Sequence, residues 1–127
     1  MLPKKVRIGP HTWTVKRPVV VERDADPDDP TEGLCLSSKY EIHIQRDLTG
    51  TTEKDTFLHE LLHACAATVG IRLPHDYEER FVAGVTPILL LVMQQNPDID
   101  FTEGTETRAT KAGTRKAART HKRRTRR

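Results

Sequence analysis

Cysteine occurs only twice in this chain of 127 residues, aromatic residues make up 5% of it, and the longest uninterrupted apolar run extends only from Ile88 to Met93. Each scarcity excludes something. Cys35 and Cys65 stand alone, without a C-x-x-C pair, so neither a zinc ribbon nor a disulfide scaffold is expected; two reduced, buried thiols are. The apolar run is far too short to cross a bilayer, and the N-terminal residues lack the apolar stretch of a signal peptide. A cytoplasmic location without membrane association follows as the expectation. With 35% hydrophobic and 31% charged residues, the chain suits one domain with one core.

Net charge is +3, but the charge is unevenly distributed. Residues Gly104 to Arg127 hold ten Lys or Arg against the single acid Glu106, a balance of +9, which leaves −6 on Met1 to Glu103. The basic segment has almost nothing to bury, so a domain over 1–103 and a disordered basic tail over 104–127 are expected. Such a tail attracts polyanions with a steep salt dependence. Lacking an aromatic residue to stack on bases, it suits nonspecific nucleic-acid binding rather than sequence reading; solubilising the chain or docking on its own acidic body is the alternative.

Arg7–Arg17 and Val19–Glu22 are rich in β-formers and read as two short strands. Asp24–Gly33 crowds five acids and two prolines into an expected exposed loop. A calcium site from Asp24, Asp26, Asp28 and Asp29 is set aside, because the glycine and terminal glutamate of an EF-hand loop are missing. Leu34–Ser37 reads as a third strand. In the fourth, Tyr40, Ile42 and Ile44 alternate with Glu41, His43 and Gln45, which puts His43 on the polar face as an exposed side chain rather than a ligand.

The most telling run is His59-Glu60-Leu61-Leu62-His63, an H-E-x-x-H pattern inside a helix-patterned segment. In shuffled chains of this composition it arises roughly 2% of the time. On a helix, residues four apart stack one turn above each other, so both imidazoles can share a metal ion with Glu60 beside them. This helix is expected to open near Thr51 or Thr52, with Thr52 and Asp55 in a capping arrangement, and to close at Gly70. Leu58, Leu61, Leu62, Cys65 and Val69 form one arc, the expected core face, and His59, Glu60 and His63 the adjoining one. Ala66, Ala67 and Gly70 leave room beside the histidines for a second element. That element is a helix over Asp76–Asn96, N-capped by Asp76, with Pro87 kinking its interior.

A hydrolytic zinc ion takes three protein ligands and keeps a fourth position for water. A third histidine at the metzincin offsets is absent, since Ala66 and Val69 stand there. Downstream candidates are Glu78, Glu79, His75 and Asp76. A glutamate gives a His, His, Glu set; Glu79, nearer the edge of its helix's apolar stripe, is favoured over Glu78, which stays the alternative. Asp76 and Glu79 also form a capping box that needs no metal. Glu60 is assigned as the general base that takes a proton from a zinc-activated water. Tyr40, Tyr77 and His75 are candidates for further oxyanion stabilisation, and the strand Tyr40–Gln45 is expected to be the sheet edge on which an extended peptide pairs.

From the strand around Tyr40, through E-K-D-T-F-L-H-E-L-L-H-A (Glu53–Ala64) and Tyr77-Glu78-Glu79, to Gln94-Gln95-Asn96-Pro97, the chain resembles the small zincin-like metallopeptidases of bacteria and their phages, near the ImmA/IrrE and SprT-like families and the minimal gluzincins. The resemblance implies an α+β fold in which a short antiparallel or mixed sheet packs on the active-site helix, followed by a helix that supplies a glutamate ligand. It implies a Zn²⁺-dependent peptidase acting on a protein or peptide substrate, in the host's cytoplasm if the chain is phage-encoded. The alternative is a zincin-fold structural or nucleic-acid-associated protein without turnover. The pattern leaves substrate preference and oligomeric state open.

Overall fold

The computed structural model describes residues 1–21, 31–102 and 104. Residues 24–30 of the expected acidic loop Asp24–Gly33 and nearly all of the basic tail lie outside those residues, and Gly33 belongs to a strand rather than to the loop. Two compact units divide the chain, Met1–Gln95 and Asn96–Arg127. In the second, Thr102 bonds back to the Asp100 carboxylate and Ile99 to the Asn96 carbonyl.

The first unit is α+β, with a four-stranded mixed sheet and two helices. Strands β1 (Lys5–Ile8), β2 (His11–Lys16), β3 (Gly33–Leu36) and β4 (Glu41–Ile44) lie in the order β1-β2-β4-β3. The segment read as one strand, Arg7–Arg17, is instead the body of a hairpin. Ile8 pairs with His11, so Gly9 and Pro10 form a two-residue turn. Gly9 has φ 57°, the first-position glycine of a type II′ turn, and proline's fixed φ suits the second position. Val19–Glu22 contributes no strand among its described residues; Val21 makes an isolated bridge to Thr31.

β4 pairs in parallel with β2 and antiparallel with β3. It is therefore an interior strand, and the expected edge at Tyr40–Gln45 is corrected: among the described residues, the edge strand on that side of the sheet is β3. The alternation in β4 is as read, with Ile42 and Ile44 fully buried. Tyr40 departs from it, because it closes a 3₁₀ turn over Ser37–Lys39 with φ 53° and stacks on His11 instead of entering the core.

Helix α1 spans Gly50–Thr68 and packs across β3, β4 and β1. It begins slightly earlier than expected, behind Thr49, and the Thr52–Asp55 cap is not used. Its end is as read: Gly70 at φ 73° closes it, with the Ile71 amide on the Ala66 carbonyl and the Gly70 amide on that of Ala67, a Schellman motif. Arg17 fastens the helix start to the sheet. Its guanidinium meets Glu53 at 2.9 Å and donates to the carbonyls of Gln45, Arg46 and Leu48 at 3.0–3.2 Å.

The core comprises Ile8, Trp13, Val15, Ile42, Ile44 and Ala64, extended by Phe57 and Leu61. The core face of α1 is rotated from the expected one. Its buried line is Thr56, Glu60 and Ala64, whereas Cys65 is exposed and Val69 is 69% exposed. Small side chains face the sheet because the sheet comes close there.

Helix α2 spans His75–Gln95 and packs chiefly on α1 through Val82, Thr86 and Leu90. The Pro74 carbonyl accepts from the amides of Tyr77 and Glu78, so Pro74 holds the capping position and Asp76 lies inside the first turn. The helix runs on through Pro87, and the Thr86 hydroxyl donates to the Val82 carbonyl at 2.7 Å. No helix among the described residues is long and apolar enough to cross a membrane.

Candidate metal centre

Helical spacing puts His59 and His63 one turn apart, with their Nε2 atoms 3.3 Å from each other. α2 enters with its first turn toward them. One Glu79 carboxylate oxygen lies 2.9 Å from His59 Nε2 and the other 2.9 Å from His63 Nε2. A ligand atom from each of His59, His63 and Glu79 falls within 4.8 Å of the other two. Glu78 takes another position: its carboxylate is 2.7 Å from His63 Nδ1, on the far side of the ring.

That division of labour has a chemical consequence. A neutral His63 donates its Nδ1–H to Glu78, and its Nε2 is then a bare lone pair. The lone pair then faces a carboxylate oxygen and a second imidazole nitrogen, a set of contacts that either a bound cation or a second ring proton on His63 satisfies. Tetrahedral zinc with bonds of about 2.0 Å sets its ligand atoms roughly 3.3 Å apart. The spacing of the two nitrogens matches, while the Glu79 oxygens, at 2.9 Å, stand closer to them than that. The donor set of two imidazoles and one carboxylate, with an outer carboxylate orienting a ring, therefore fits Zn²⁺.

Glu60 lies beside this group but on the buried line of α1, 8% exposed. Room for it is made by Gly33 on β3. A Cβ at residue 33 would come within 2.7 Å of Thr56 Cγ2 and 2.9 Å of Glu60 Cγ. Gly33→Ala is therefore expected to push α1 off the sheet, at a cost of about 1–3 kcal/mol in stability; a urea melt checks this, and an unchanged midpoint would show that the helix gives way freely. Nothing in the sequence marked Gly33, which looked like the last residue of a loop.

A cavity of about 970 Å³ opens over the group, lined by His59, Glu60, His63, Glu78 and Glu79 together with His11, Trp13 and Tyr40 on the sheet side. Of the three candidates for oxyanion stabilisation, Tyr40 and His75 line it, while Tyr77 is 64% exposed on the outer side of α2. His43 stays outside the group, 3.2 Å from the Glu41 carboxylate. The hydrogen bond from Lys16, and then that from His43, hold Glu41 below the usual carboxylate range.

Cys35 also lines the cavity, yet its thiol is no ligand candidate in this geometry. Burial, and then the nearby carboxylates of Glu60 and Glu78, push it up to about 12. At pH 8 the thiolate fraction of Cys35 is then on the order of 10⁻⁴. Cys65, expected to be buried, is exposed, though burial of its surroundings raises its thiol too. Peptide mapping after brief iodoacetamide treatment should find Cys65 modified well before Cys35; equal labelling would contradict the burial assigned to Cys35.

No protein-family model, curated protein or solved structure matches this chain.

Proposed function

We propose that the chain is a zinc-dependent metallopeptidase of zincin-like design, with His59, His63 and Glu79 as metal ligands and Glu60 as general base. The observation that carries the reading is the Glu79 carboxylate, 2.9 Å from both Nε2 atoms while Glu78 occupies His63 Nδ1. Held there, zinc supplies Lewis-acid polarisation of a carbonyl and activation of water. Glu60 shares the cavity and takes the proton from the attacking water, then delivers it to the leaving amine. Glu78 fixes the His63 tautomer and ring plane. β3, the edge strand beside α1 among the described residues, offers main-chain groups to an extended peptide, which makes a protein or peptide the fitting substrate class.

The direct test is cleavage of a complex peptide mixture by the zinc-loaded protein, read by mass spectrometry. New termini that vanish with a chelator and return with zinc are the expected result. Stoichiometric zinc without any cleavage would favour the second reading, a zinc-holding structural or nucleic-acid-associated protein without turnover. That reading draws on the +9 balance of residues Gly104 to Arg127. Deleting those residues should abolish a gel shift with duplex DNA of arbitrary sequence at low salt; an undiminished shift would remove the tail from any nucleic-acid role.

A further inference from the structure

Helix α2 is apolar on two opposite faces. One, through Val82, Thr86 and Leu90, is buried against α1. The other carries Tyr77 at 64% exposure, Phe81 at 64%, Ile88 at 56%, Leu91 at 43% and Val92 at 40%. At 100° per residue these five lie within one arc centred opposite the buried line. From Phe81 to Gln95 the helix holds no charged residue at all. A helix apolar around its whole circumference is normally buried on all sides.

Among the described residues that follow α2, only Ile99 and Phe101 are large, apolar and exposed, two side chains against the five of the stripe. The segments outside the described residues, 22–30 and essentially all of 103–127, contain no large apolar side chain. That is too little to cover it, and the stripe's own pattern points to a second copy of the chain. Gly84 stands at its middle, exposed, and a Cβ there would meet nothing within 4 Å among the described residues. A mid-helix glycine weakens the helix, and no contact among the described residues calls for one. Its use is to let another backbone approach closely. The large residues are distributed almost evenly about it, with Tyr77 and Phe81 before and Ile88 and Leu91 after.

We propose that the chain forms a two-fold homodimer through antiparallel packing of α2 on α2, the helices crossing at Gly84. Across that axis Tyr77 meets Leu91 of the second copy, and Phe81 meets Ile88 of the second copy. A patch that is neutral, apolar and symmetric about its midpoint is complementary to itself, as an isologous interface requires. The five side chains offer roughly 500 Å² per copy, against about 800 Å² per partner in a standard interface. A reversible dimer rather than an obligate one is expected.

Sedimentation equilibrium of the full chain between about 1 and 100 µM tests this. It is run at 0.3 M salt so that attraction between the basic segment and the acidic body is screened. The expected mass rises with concentration toward twice the 14.4 kDa of one chain. Ile88→Glu should shift the dissociation constant by at least tenfold, and Gly84→Leu should do the same while leaving the helical circular dichroism intact. A wild-type chain that stays monomeric across the range would overturn the proposal. So would a dimer that persists unchanged in both variants, which would place the contact elsewhere.

Discussion

Glu60→Gln is expected to retain one zinc per chain and to lose peptide hydrolysis by about 10²–10⁴-fold, the usual contribution of a positioned general base. The substitution is nearly isosteric, which matters because Glu60 is 8% exposed and its Cγ sits against the Gly33 backbone. A larger or smaller side chain would disturb the α1–β3 contact and confuse a chemical loss with a structural one. Glutamine keeps the packing and removes the base. Measuring zinc content, melting temperature and turnover on the same preparation separates the possibilities. Turnover within a fewfold of wild type would remove Glu60 from the catalytic role.

The second large effect concerns the pair at the start of α2. Glu79→Ala removes a carboxylate that stands 2.9 Å from each of two imidazole nitrogens, and it is expected to weaken zinc binding far beyond what loss of an outer partner causes. Glu78→Gln removes only the acceptor of His63 Nδ1. For that variant the expected loss is about 10- to 100-fold in affinity, typical of an orienting group behind a ligand. The contrast is the informative part. Competitive titration with a chromogenic chelator gives both constants. If the Glu78 variant binds zinc more weakly than the Glu79 variant, the roles of ligand and orienter are exchanged.

The two glutamates show where sequence reasoning reaches its limit. His59 and His63 were legible because both their spacing and their shared direction are properties of a single helix. The choice between Glu78 and Glu79 depends on how α2 is rotated about its axis relative to α1, and adjacent residues differ by 100° in that rotation. The edge of the apolar stripe favoured Glu79, and the geometry gives each glutamate a place, one on the Nε2 side of the ring and one on the Nδ1 side.

The inward face of α1 was misread for a related reason. Leucine spacing puts the core on Leu58, Leu61, Leu62, Cys65 and Val69, of which Leu61 does pack against the core. Close approach of the sheet at Gly33 instead favours the small residues Thr56 and Ala64, and draws Glu60 inward with them. Strand order was similarly hidden. The alternation of Ile42 and Ile44 was plain, but whether β4 is an edge depends on β3 pairing alongside it and on the parallel contact with β2, both decided by distant segments. Local punctuation is unevenly legible: Gly70 marks the end of α1, while the Gly9-Pro10 turn is hidden inside a β-rich stretch.

X-ray absorption at the zinc edge of the loaded protein tests the central claim most directly. One zinc per chain is expected, with only nitrogen and oxygen neighbours at about 2.0–2.1 Å, two of them showing the outer-shell scattering of imidazole. His59→Ala should reduce the imidazole count. Sulfur scattering at about 2.3 Å, which would bring in the Cys35 thiol from the same cavity, or failure of the wild-type chain to hold zinc at all, would contradict it.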